Sequence, residues 1–324
     1  MTDLVILADG GAGIGFGHIM RCLAIKKAWE NGTAKLLIQM EGGDLIPEGG
    51  EALNWLLEID KLKQYTSPNT LLLVDSYRPD AEYFCLLKNI FPYIAVLDDY
   101  NRITYPVDLV ICPGIYGKEM DYSNQTAVTV GGSEYVILRN EILKAKPLKV
   151  REEIQTILVT LGGSQQDETL FQKLINFLEN AGYKLVVVTG NEKIATRLAS
   201  KKGSLVYGKL APLKMVEIMT SVDVAVSGAG QTLNELAWLG VPTLSVKTGE
   251  DQHGNWDYYR QKELSLAAVL PNSHDLESIL VGILKKETQN SRLERSKKLK
   301  KLITAKGAKH ICSLIKNMGK VVNE

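Results

Sequence analysis

The stretch "VILADGGAGIGFGHIMR" (residues 5–21) decides the fold. It joins a short apolar run to a glycine-rich turn, and the pattern "IMRCLAIKKAWE" (19–30) that follows is typical of an amphipathic helix. An apolar run without alternation is typical of a strand covered on both faces, as in a parallel sheet. Gly13, Gly15 and Gly17 allow backbone conformations closed to other residues and let a ligand approach the amides. The stretch therefore predicts a strand, an anion-binding turn and a helix.

Strands of this kind recur in two series along the chain, with helical patterns between most of them. The polar, proline-containing segment "KAKPLKVREE" (144–153) separates the two series. We therefore expect an α/β protein of two doubly wound, Rossmann-like domains, residues 1–148 and 149–324, facing each other across a cleft. The further strands are predicted at "KLLIQ" (35–39), "LLLV" (71–74), "YIAVL" (93–97), "LVIC" (109–112), "TILVTL" (156–161), "KLVVVT" (184–189), "DVAVS" (223–227) and "TLSV" (243–246).

Composition excludes several classes of function. The 38 basic and 37 acidic residues leave a formal charge of +1, whereas a nucleic-acid-binding protein is expected to be strongly basic. The four cysteines form no C-x-x-C pair, which indicates free thiols in a reducing compartment. Neither a basic leader nor an apolar run of about 20 residues is evident, so we expect a cytoplasmic protein.

The segment 285–320 differs from the rest because it holds twelve lysines and arginines against two glutamates. Leu299, Leu302 and Ile303 lie on a possible apolar stripe within it. We expect a basic carboxy-terminal helix that packs across the back of the domains. Weak contact with an anionic membrane surface is the alternative.

The second half contains two more glycine turns between a strand and a helix, in "LVTLGGSQQDETL" (158–170) and "DVAVSGAGQTLNELAWLGVP" (223–242). Glu235 lies one turn into the second helix, where its carboxylate could accept two ribose hydroxyls; the alternative is a solvent-facing helix residue. Turns of this kind predict a nucleotide-diphosphate site. Its expected residues are Gly162, Gly163, Ser164, Ser227, Gly228, Gly230, Gln231, Thr232 and Glu235.

Aspartates end two of the strands predicted in the first half. Asp75 follows "LLLV", and the pair Asp98–Asp99 follows "AVL". Carboxyl ends of parallel strands carry binding and catalytic groups in α/β folds, although aspartate also starts turns. We expect one residue of the Asp98–Asp99 pair to be functional and the other structural. The four histidines share no metal-ligand spacing, so neither a metal nor a cofactor is expected.

His18 stands in the first turn of the predicted helix. The positive end of a helix dipole disfavours imidazolium, so we expect an uncharged ring near pH 7. A neutral imidazole is a competent general base, and a place beside a phosphate loop suits chemistry at the carbon that bears the phosphate. The alternative is a neutral donor that only orients the substrate.

The chain resembles the UDP-sugar hydrolases of the pseudaminic acid pathway, which have the GT-B fold. The resemblance covers residues 3–270 and rests on matching segments in the same order. The segment "SGAGQTLNE" also resembles the nucleotide loop of the N-acetylglucosaminyltransferase that makes lipid II, in which the glutamate contacts ribose. The matching segments are "IGFGHIMRCLA" (14–24), "LLLVDSY" (71–77), "LDDY" (97–100), "YVILRNEI" (135–142), "LVTLGGSQQDET" (158–169), "SGAGQTLNE" (227–235) and "EDQHGNW" (250–256).

The resemblance implies metal-independent, inverting hydrolysis of a UDP-linked diacetamido sugar, with UDP released and His18 as the base. Around the sugar it implies Gly15, Gly17, Arg21, Asp75, Tyr77, Asp98 and Gln252. The glycine-rich "SGAGQT" is closer to transferases of spore-coat polysaccharide, so transfer to an acceptor hydroxyl stays an alternative. A UDP-sugar-binding protein without activity is a second one. The sequence predicts no oligomeric state.

Overall fold

A computed structural model describes residues 3–11, 14–30, 32–42, 46–162, 167–199 and 204–321. Within these ranges the chain alternates strands and helices, and every strand pairing is parallel. Strands are β1 Asp3–Gly11, β2 Ala34–Glu41, β3 Glu51–Ala52, β4 Thr70–Asp75, β5 Tyr93–Leu97, β6 Leu109–Cys112, β7 Val128–Gly131, β8 Thr156–Thr160, β9 Lys184–Val188, β10 Leu205–Tyr207, β11 Val224–Gly228, β12 Thr243–Val246 and β13 Ala268–Val269.

The helices connect these strands and cover the sheets. They are α1 Gly17–Ala28, α2 Ala81–Lys88, α3 Asn140–Lys144, α4 Glu168–Asn180, α5 Glu192–Ala199, α6 Pro212–Ser221, α7 Gln231–Leu239, α8 His253–Gln261, α9 Leu276–Lys286, α10 Gln289–Leu299 and α11 Gly307–Val321.

The chain divides into two compact units. Unit 1 comprises residues 1–139 and 304–324, and unit 2 comprises residues 140–303. The first unit therefore ends nine residues before the boundary that we expected after residue 148, and the last helix returns to it. Two α/β units agree with the fold class that the sequence predicts.

Unit 1 is built on a seven-stranded sheet in the order β3-β2-β1-β4-β5-β6-β7. Successive residues of β1 point to opposite faces, so Ile6 lies in one core cluster and Leu7 in the other. Because the chain turns in opposite directions on either side of β1 and β4, a switch point forms at their carboxyl ends. Ligands bind at such points in open α/β sheets.

Helix α11 belongs to unit 1. Its apolar face, with Ile311, Cys312 and Ile315, is buried in the core cluster that also contains Ile19 and Ile25 of α1. The expectation that this helix belongs to the second domain is wrong, because Ile311, Cys312 and Ile315 complete the core of unit 1. The predicted stripe of Leu299, Leu302 and Ile303 lies before α11, in unit 2. The same packing occupies the face that a membrane contact would use. Among the described helices none has the length and apolar character needed to cross a membrane.

Unit 2 is built on a six-stranded sheet in the order β10-β9-β8-β11-β12-β13. Its core includes Val159, Phe171, Leu174, Val187 and Val226, all buried between the sheet and its helices. The strand order again reverses once, here between β8 and β11. The two glycine turns of the second half follow these two strands, so the fold places both at the switch point of this sheet.

Candidate active site

The glycine turn after β1 is closed by its own backbone. The N–H of Gly15 donates to the carbonyl oxygen of Gly11 (2.8 Å), and the N–H of Gly11 donates to that of Gly15 (3.1 Å). Gly15 has φ +84°, a left-handed conformation that favours glycine. The expectation that Gly15 offers its amide to a ligand is therefore wrong. Gly17, the first residue of α1, faces open space, whereas Gly13 lies outside the described residues.

His18 is buried at the start of α1, with 7% of its surface exposed. Its Nδ1 lies 2.6 Å from Oδ1 of Asp75, the last residue of β4. An ionised carboxylate only accepts hydrogen bonds, so Nδ1 carries the proton and Nε2 holds the free lone pair. Nε2 has no hydrogen-bond partner among the described residues. The arrangement is that of a general base oriented by a carboxylate.

The charge of Asp75 also sets the basicity of the ring. Burial by itself lowers the pKa of His18, but the charge and the hydrogen bond of Asp75 outweigh burial, and the net pKa is raised above its usual value. The net shift is thus opposite in direction to the one expected from the helix dipole alone, because that expectation omitted a carboxylate 2.6 Å away. An imidazole with a raised pKa is a stronger base whenever it is deprotonated.

Arg21 holds Asp75 from the other side. It lies one helical turn after His18, so both side chains project from the same face of α1. Its Nε donates to Oδ2 of Asp75 and its Nη2 to Oδ1, both at 2.6 Å. Burial raises the pKa of Asp75, but Arg21 and then His18 outweigh it and hold that pKa well below its usual range.

Asp75 is fully buried, and each of its oxygens already accepts two donors of the chain, the fourth being the thiol of Cys22. The expectation that it binds a sugar hydroxyl is wrong for this reason. Asp75 instead fixes the positions of His18 and Arg21.

Of the two aspartates after β5, the structure places Asp99 and not Asp98 beside this group. Asp98 is fully buried and accepts hydrogen bonds from two backbone amides and from the hydroxyls of Tyr105 and Tyr122. It therefore stabilises its own loop, and the expectation that it contacts substrate is wrong. Asp99 accepts from Nη1 of Arg21 at 3.1 Å. The sequence could not separate these neighbours, because both follow the same strand.

Tyr77 forms a wall beside His18. The two rings meet edge to face with their centroids 4.6 Å apart, and the Tyr77 hydroxyl donates to the Asp99 carboxylate. Burial and the charge of Asp99 raise the pKa of Tyr77, so the phenol keeps its proton. Tyr77, Arg21 and Asp99 thus form one connected network with the His18–Asp75 pair.

In unit 2 the ends of β8 and β11 come together backbone to backbone. A side chain at Gly228 would lie 2.3 Å from the carbonyl oxygen of Leu161, so only glycine fits there. Gly162 has φ +91° and faces open space, whereas Gly163 and Ser164 lie outside the described residues. Ser227 is fully buried and donates to the carbonyl oxygen of Gly228. The expectation that its hydroxyl binds nucleotide is therefore wrong.

Gln252 ties the second glycine turn to the loop after β12. Its Oε1 accepts from the backbone N–H of Ala229 (3.0 Å) and from the N–H and hydroxyl of Thr248 (3.1 Å each). The Nε2 group, with no hydrogen-bond partner in the described part of the chain, faces Gly230, the N-cap of α7. Gln252 thus shapes the turn with its oxygen and keeps a donor beside it.

The first turns of α7 carry the other predicted nucleotide residues. Gln231 and Thr232 are half-buried at its amino terminus. Glu235 is only 2% exposed, so the alternative of a solvent-facing helix residue is wrong. Lys247, which the sequence reasoning missed, follows β12, and its ammonium pairs with the exposed Glu250 at 2.9 Å. The signal for Lys247 was its place directly after a predicted strand.

Comparison with known proteins decides the family. The sequence model of the glycosyltransferase family 28 C-terminal domain matches residues 126–311, more than half of the chain. The chain belongs to this family. Solved structures add the fold: MurG of Acinetobacter baumannii (14% identity, 97% of this chain and 99% of that one) and the UDP co-structure of S. aureus MnaA (14%, 100% and 98%) both give a TM-score of 0.64. This family 28 protein has the GT-B fold.

Two curated relatives of this family 28 chain are longer than it is. One, from Helicobacter pylori, is named pseudaminic acid cytidylyltransferase and UDP-2,4-diacetamido-2,4,6-trideoxy-beta-L-altropyranose hydrolase; it is 28% identical over 76% of the chain and 44% of its own length. An uncharacterized protein of Methanocaldococcus jannaschii is 22% identical over 80% of the chain and 58% of its own length. The chain thus spans about half the length of these relatives.

No group of three or more histidine, cysteine or acidic side chains in the described ranges is placed to hold a metal ion. In unit 1 one imidazole and one guanidinium pair with the carboxylates of Asp75 and Asp99.

Proposed function

We propose that this chain hydrolyses a UDP-linked acetamido sugar at its anomeric carbon and releases UDP. One observation carries the proposal: His18, held by Asp75 at 2.6 Å, offers at the switch point of unit 1 an Nε2 that has no hydrogen-bond partner among the described residues. A general base of this kind activates water or a hydroxyl group. Similarity to the Helicobacter pylori hydrolase supports water as the nucleophile and a diacetamido-trideoxy sugar as the substrate.

In the proposed reaction, His18 Nε2 takes one proton from water while the water oxygen attacks the anomeric carbon. The bond between that carbon and the diphosphate oxygen breaks, and its electron pair leaves with UDP. The imidazolium formed is stabilised by the carboxylate of Asp75 and later returns its proton to solvent. Attack opposite the leaving group inverts the anomeric centre. Arg21 acts through Asp75 and Asp99, while Gly17 and Tyr77 would border the sugar.

We assign the nucleotide to unit 2. The amino terminus of α7 and the open turns at Gly162 and Gly230 suit the negative charge of a diphosphate. The Nε2 of Gln252 and the ammonium of Lys247 add donors, and Glu235 would accept from the ribose. UDP is a good leaving group when its charge is stabilised in this way, so the mechanism requires no carboxylic acid to protonate it.

Transfer to an acceptor hydroxyl is the second candidate. The family match favours it, because the matching domain is that of glycosyltransferases. The same base would then deprotonate an acceptor alcohol in place of water.

The discriminating experiment measures release of free sugar and of UDP when the protein is incubated with UDP-2,4-diacetamido-2,4,6-trideoxy-β-L-altropyranose and no acceptor. UDP-N-acetylglucosamine serves as the comparison substrate. Equal amounts of both products, formed catalytically, support hydrolysis. Turnover that appears only after a glycan or lipid acceptor is added contradicts it and supports transfer.

A further inference from the structure

Asp9, near the carboxyl end of β1, has one carboxyl oxygen to which no described residue donates a hydrogen bond. The residue is 1% exposed. Its Oδ2 accepts from the hydroxyl of Ser76 at 2.8 Å, whereas Oδ1 is buried and has no hydrogen-bond partner in the described part of the protein. A buried acceptor without a donor costs free energy, so such an atom calls for an explanation.

The sheet places Asp9 beside the strand that carries Asp75. Ala8, its neighbour in β1, is paired with Asp75 across the sheet, and Ser76 directly follows Asp75. Asp9 is thus held by the residue next to the one that orients His18. It lies at the same switch point, where polar groups of ligands are bound in this class of sheet.

The charged groups around Asp9 also indicate which kind of donor its Oδ1 accepts from. The charges of His18, Asp75 and Arg78 all act on Asp9, while burial raises the pKa of its carboxyl group. The basic groups nearby are engaged elsewhere, since Arg21 pairs with Asp75 and Asp99, and Arg78 pairs with Glu41. A neutral donor therefore fits Oδ1 better than another cation.

We propose that Oδ1 of Asp9 accepts a hydrogen bond from a neutral O–H or N–H donor of the reacting group, and that Asp9 is a binding residue of the site in unit 1. This inference rests on the proposed function. The donor is either a hydroxyl or acetamido N–H of the sugar or the attacking water. These two sources share one chemistry but act at different stages, because a sugar donor strengthens binding and a water donor speeds the chemical step.

Asp9→Asn is expected to impair ligand binding or kcat without lowering the stability of the unliganded protein. Asp9→Asn keeps an oxygen for Ser76 and places an NH₂ group where the acceptor was, so a donor faces a donor. Because Oδ1 accepts no hydrogen bond from any residue that the structure describes, the unliganded variant should unfold at the same denaturant concentration as the wild type or a higher one. Asp9→Ala is the second variant, since it removes both oxygens and a rotated amide cannot restore the acceptor.

The experiment compares the dissociation constants of UDP and of the diacetamido UDP sugar by calorimetry. It is done in a His18→Asn background, in which the sugar is not consumed, and kcat is measured in the wild-type background. Asp3→Asn, at the opposite end of the same strand, is the matched control and should change neither the two dissociation constants nor kcat. Loss of a buried hydrogen bond predicts an effect of about 10- to 100-fold.

Weaker binding of the UDP sugar with unchanged binding of UDP supports the inference and assigns the donor to the sugar. Unchanged binding with a kcat lowered by the same factor also supports it and assigns the donor to water. Wild-type binding and kcat in both variants overturn it, as do losses that are matched by lower stability of the unliganded protein.

The two proposals fail separately. A protein that binds the UDP sugar more tightly than UDP but never releases free sugar contradicts hydrolysis, while the comparison of dissociation constants still decides the role of Asp9. A UDP sugar that is neither cleaved nor bound more tightly than UDP overturns both.

Discussion

The switch points of the two units share a topology and differ in chemistry. In unit 1 the ends of β1 and β4 carry the buried Asp9 and Asp75, with the buried His18 and the half-buried Arg21 from the helix that follows β1. In unit 2 the ends of β8 and β11 carry glycines, and the oxygen of Gln252, from the loop after β12, accepts a backbone hydrogen bond from Ala229 after β11. One backbone plan thus accommodates the proposed proton-transfer site in the first case and the proposed anion-binding site in the second.

The difference shows which part of each site the fold supplies. In unit 2 the backbone itself does the proposed binding, so small residues are needed to bring it close to the ligand. In unit 1 the side chains do the proposed work, and the charge of Asp75 must be balanced within the protein because this carboxylate is fully buried. Arg21 provides that balance between two carboxylates.

The largest effect is expected from Asp75→Asn. The amide can no longer hold the Nδ1 proton of His18 as a carboxylate does, so Nε2 loses its defined role and kcat should fall by about 10³-fold. Steady-state kinetics on the diacetamido UDP sugar provide the measurement. Asp98→Asn is the matched control, because it replaces an equally buried aspartate after the next strand; it should lower stability and leave kcat near that of the wild type. Equal loss of kcat in both variants would contradict the assignment of Asp75 to the site and of Asp98 to its own loop.

Arg21→Ala tests the balance of charge in unit 1. It leaves the buried Asp75 and the adjacent Asp99 without their cation, and should lower the free energy of unfolding by about 3–5 kcal/mol. Arg78→Ala, which breaks an exposed pair with Glu41, should cost no more than about 1 kcal/mol. Urea denaturation of both variants tests the difference. Similar losses of unfolding free energy in the two variants would show that burial does not determine how much the Arg21–Asp75 pair contributes to stability.

Substitutions of Gln252 test whether uncharged donors and acceptors of unit 2 contribute to UDP binding. Gln252→Ala removes the acceptor of two backbone amides and should weaken UDP binding about tenfold as well as lower stability. Gln252→Glu keeps an acceptor for those amides but replaces the donor beside Gly230 with negative charge. This variant should therefore keep its stability and still bind UDP more weakly. Calorimetry with UDP decides, and tight binding by the glutamate variant would show that Nε2 does not contact the nucleotide.

The smallest expected effect is a shift in the pH profile. The base must be deprotonated, and the pKa of His18 is raised, so kcat/KM should rise with pH through a midpoint above the ordinary histidine value of about 6.5. Asp75→Asn removes the charge that raises the pKa of His18. The residual kcat/KM of that variant should therefore rise with pH through a lower midpoint than that of the wild type. A midpoint that does not move would show that another group titrates.

The sequence predicts the central strands of both units because their apolar runs are continuous. All nine predicted strands are present, and β5, β6 and β12 have the predicted bounds. The strands not predicted, β3, β7, β10 and β13, have two to four residues that are mostly exposed or half-buried, so they lack the continuous apolar run of a buried strand. The partner of α11 could not be predicted, since an apolar stripe does not specify which surface covers it.

For the site, position in the first turn of a helix identified His18 and position at a strand end identified Asp75, but neither indicated their pairing across 57 residues. The choice between Asp98 and Asp99 depends on which tyrosines and amides lie nearby, and no local pattern reports that. Asp9 ends the strand "LVILAD" just as Asp75 ends "LLLVD", so the same rule would have included it.

The central claim is that His18 is the base, and the most direct test compares His18→Asn with the wild type on the same UDP sugar. Release of free sugar and the dissociation constant of UDP are measured for both, with the exposed His274→Asn as control. We expect His18→Asn to bind UDP like the wild type and to lose kcat by about 10²- to 10⁴-fold, while the control stays unchanged. Wild-type release of sugar by His18→Asn would contradict the account.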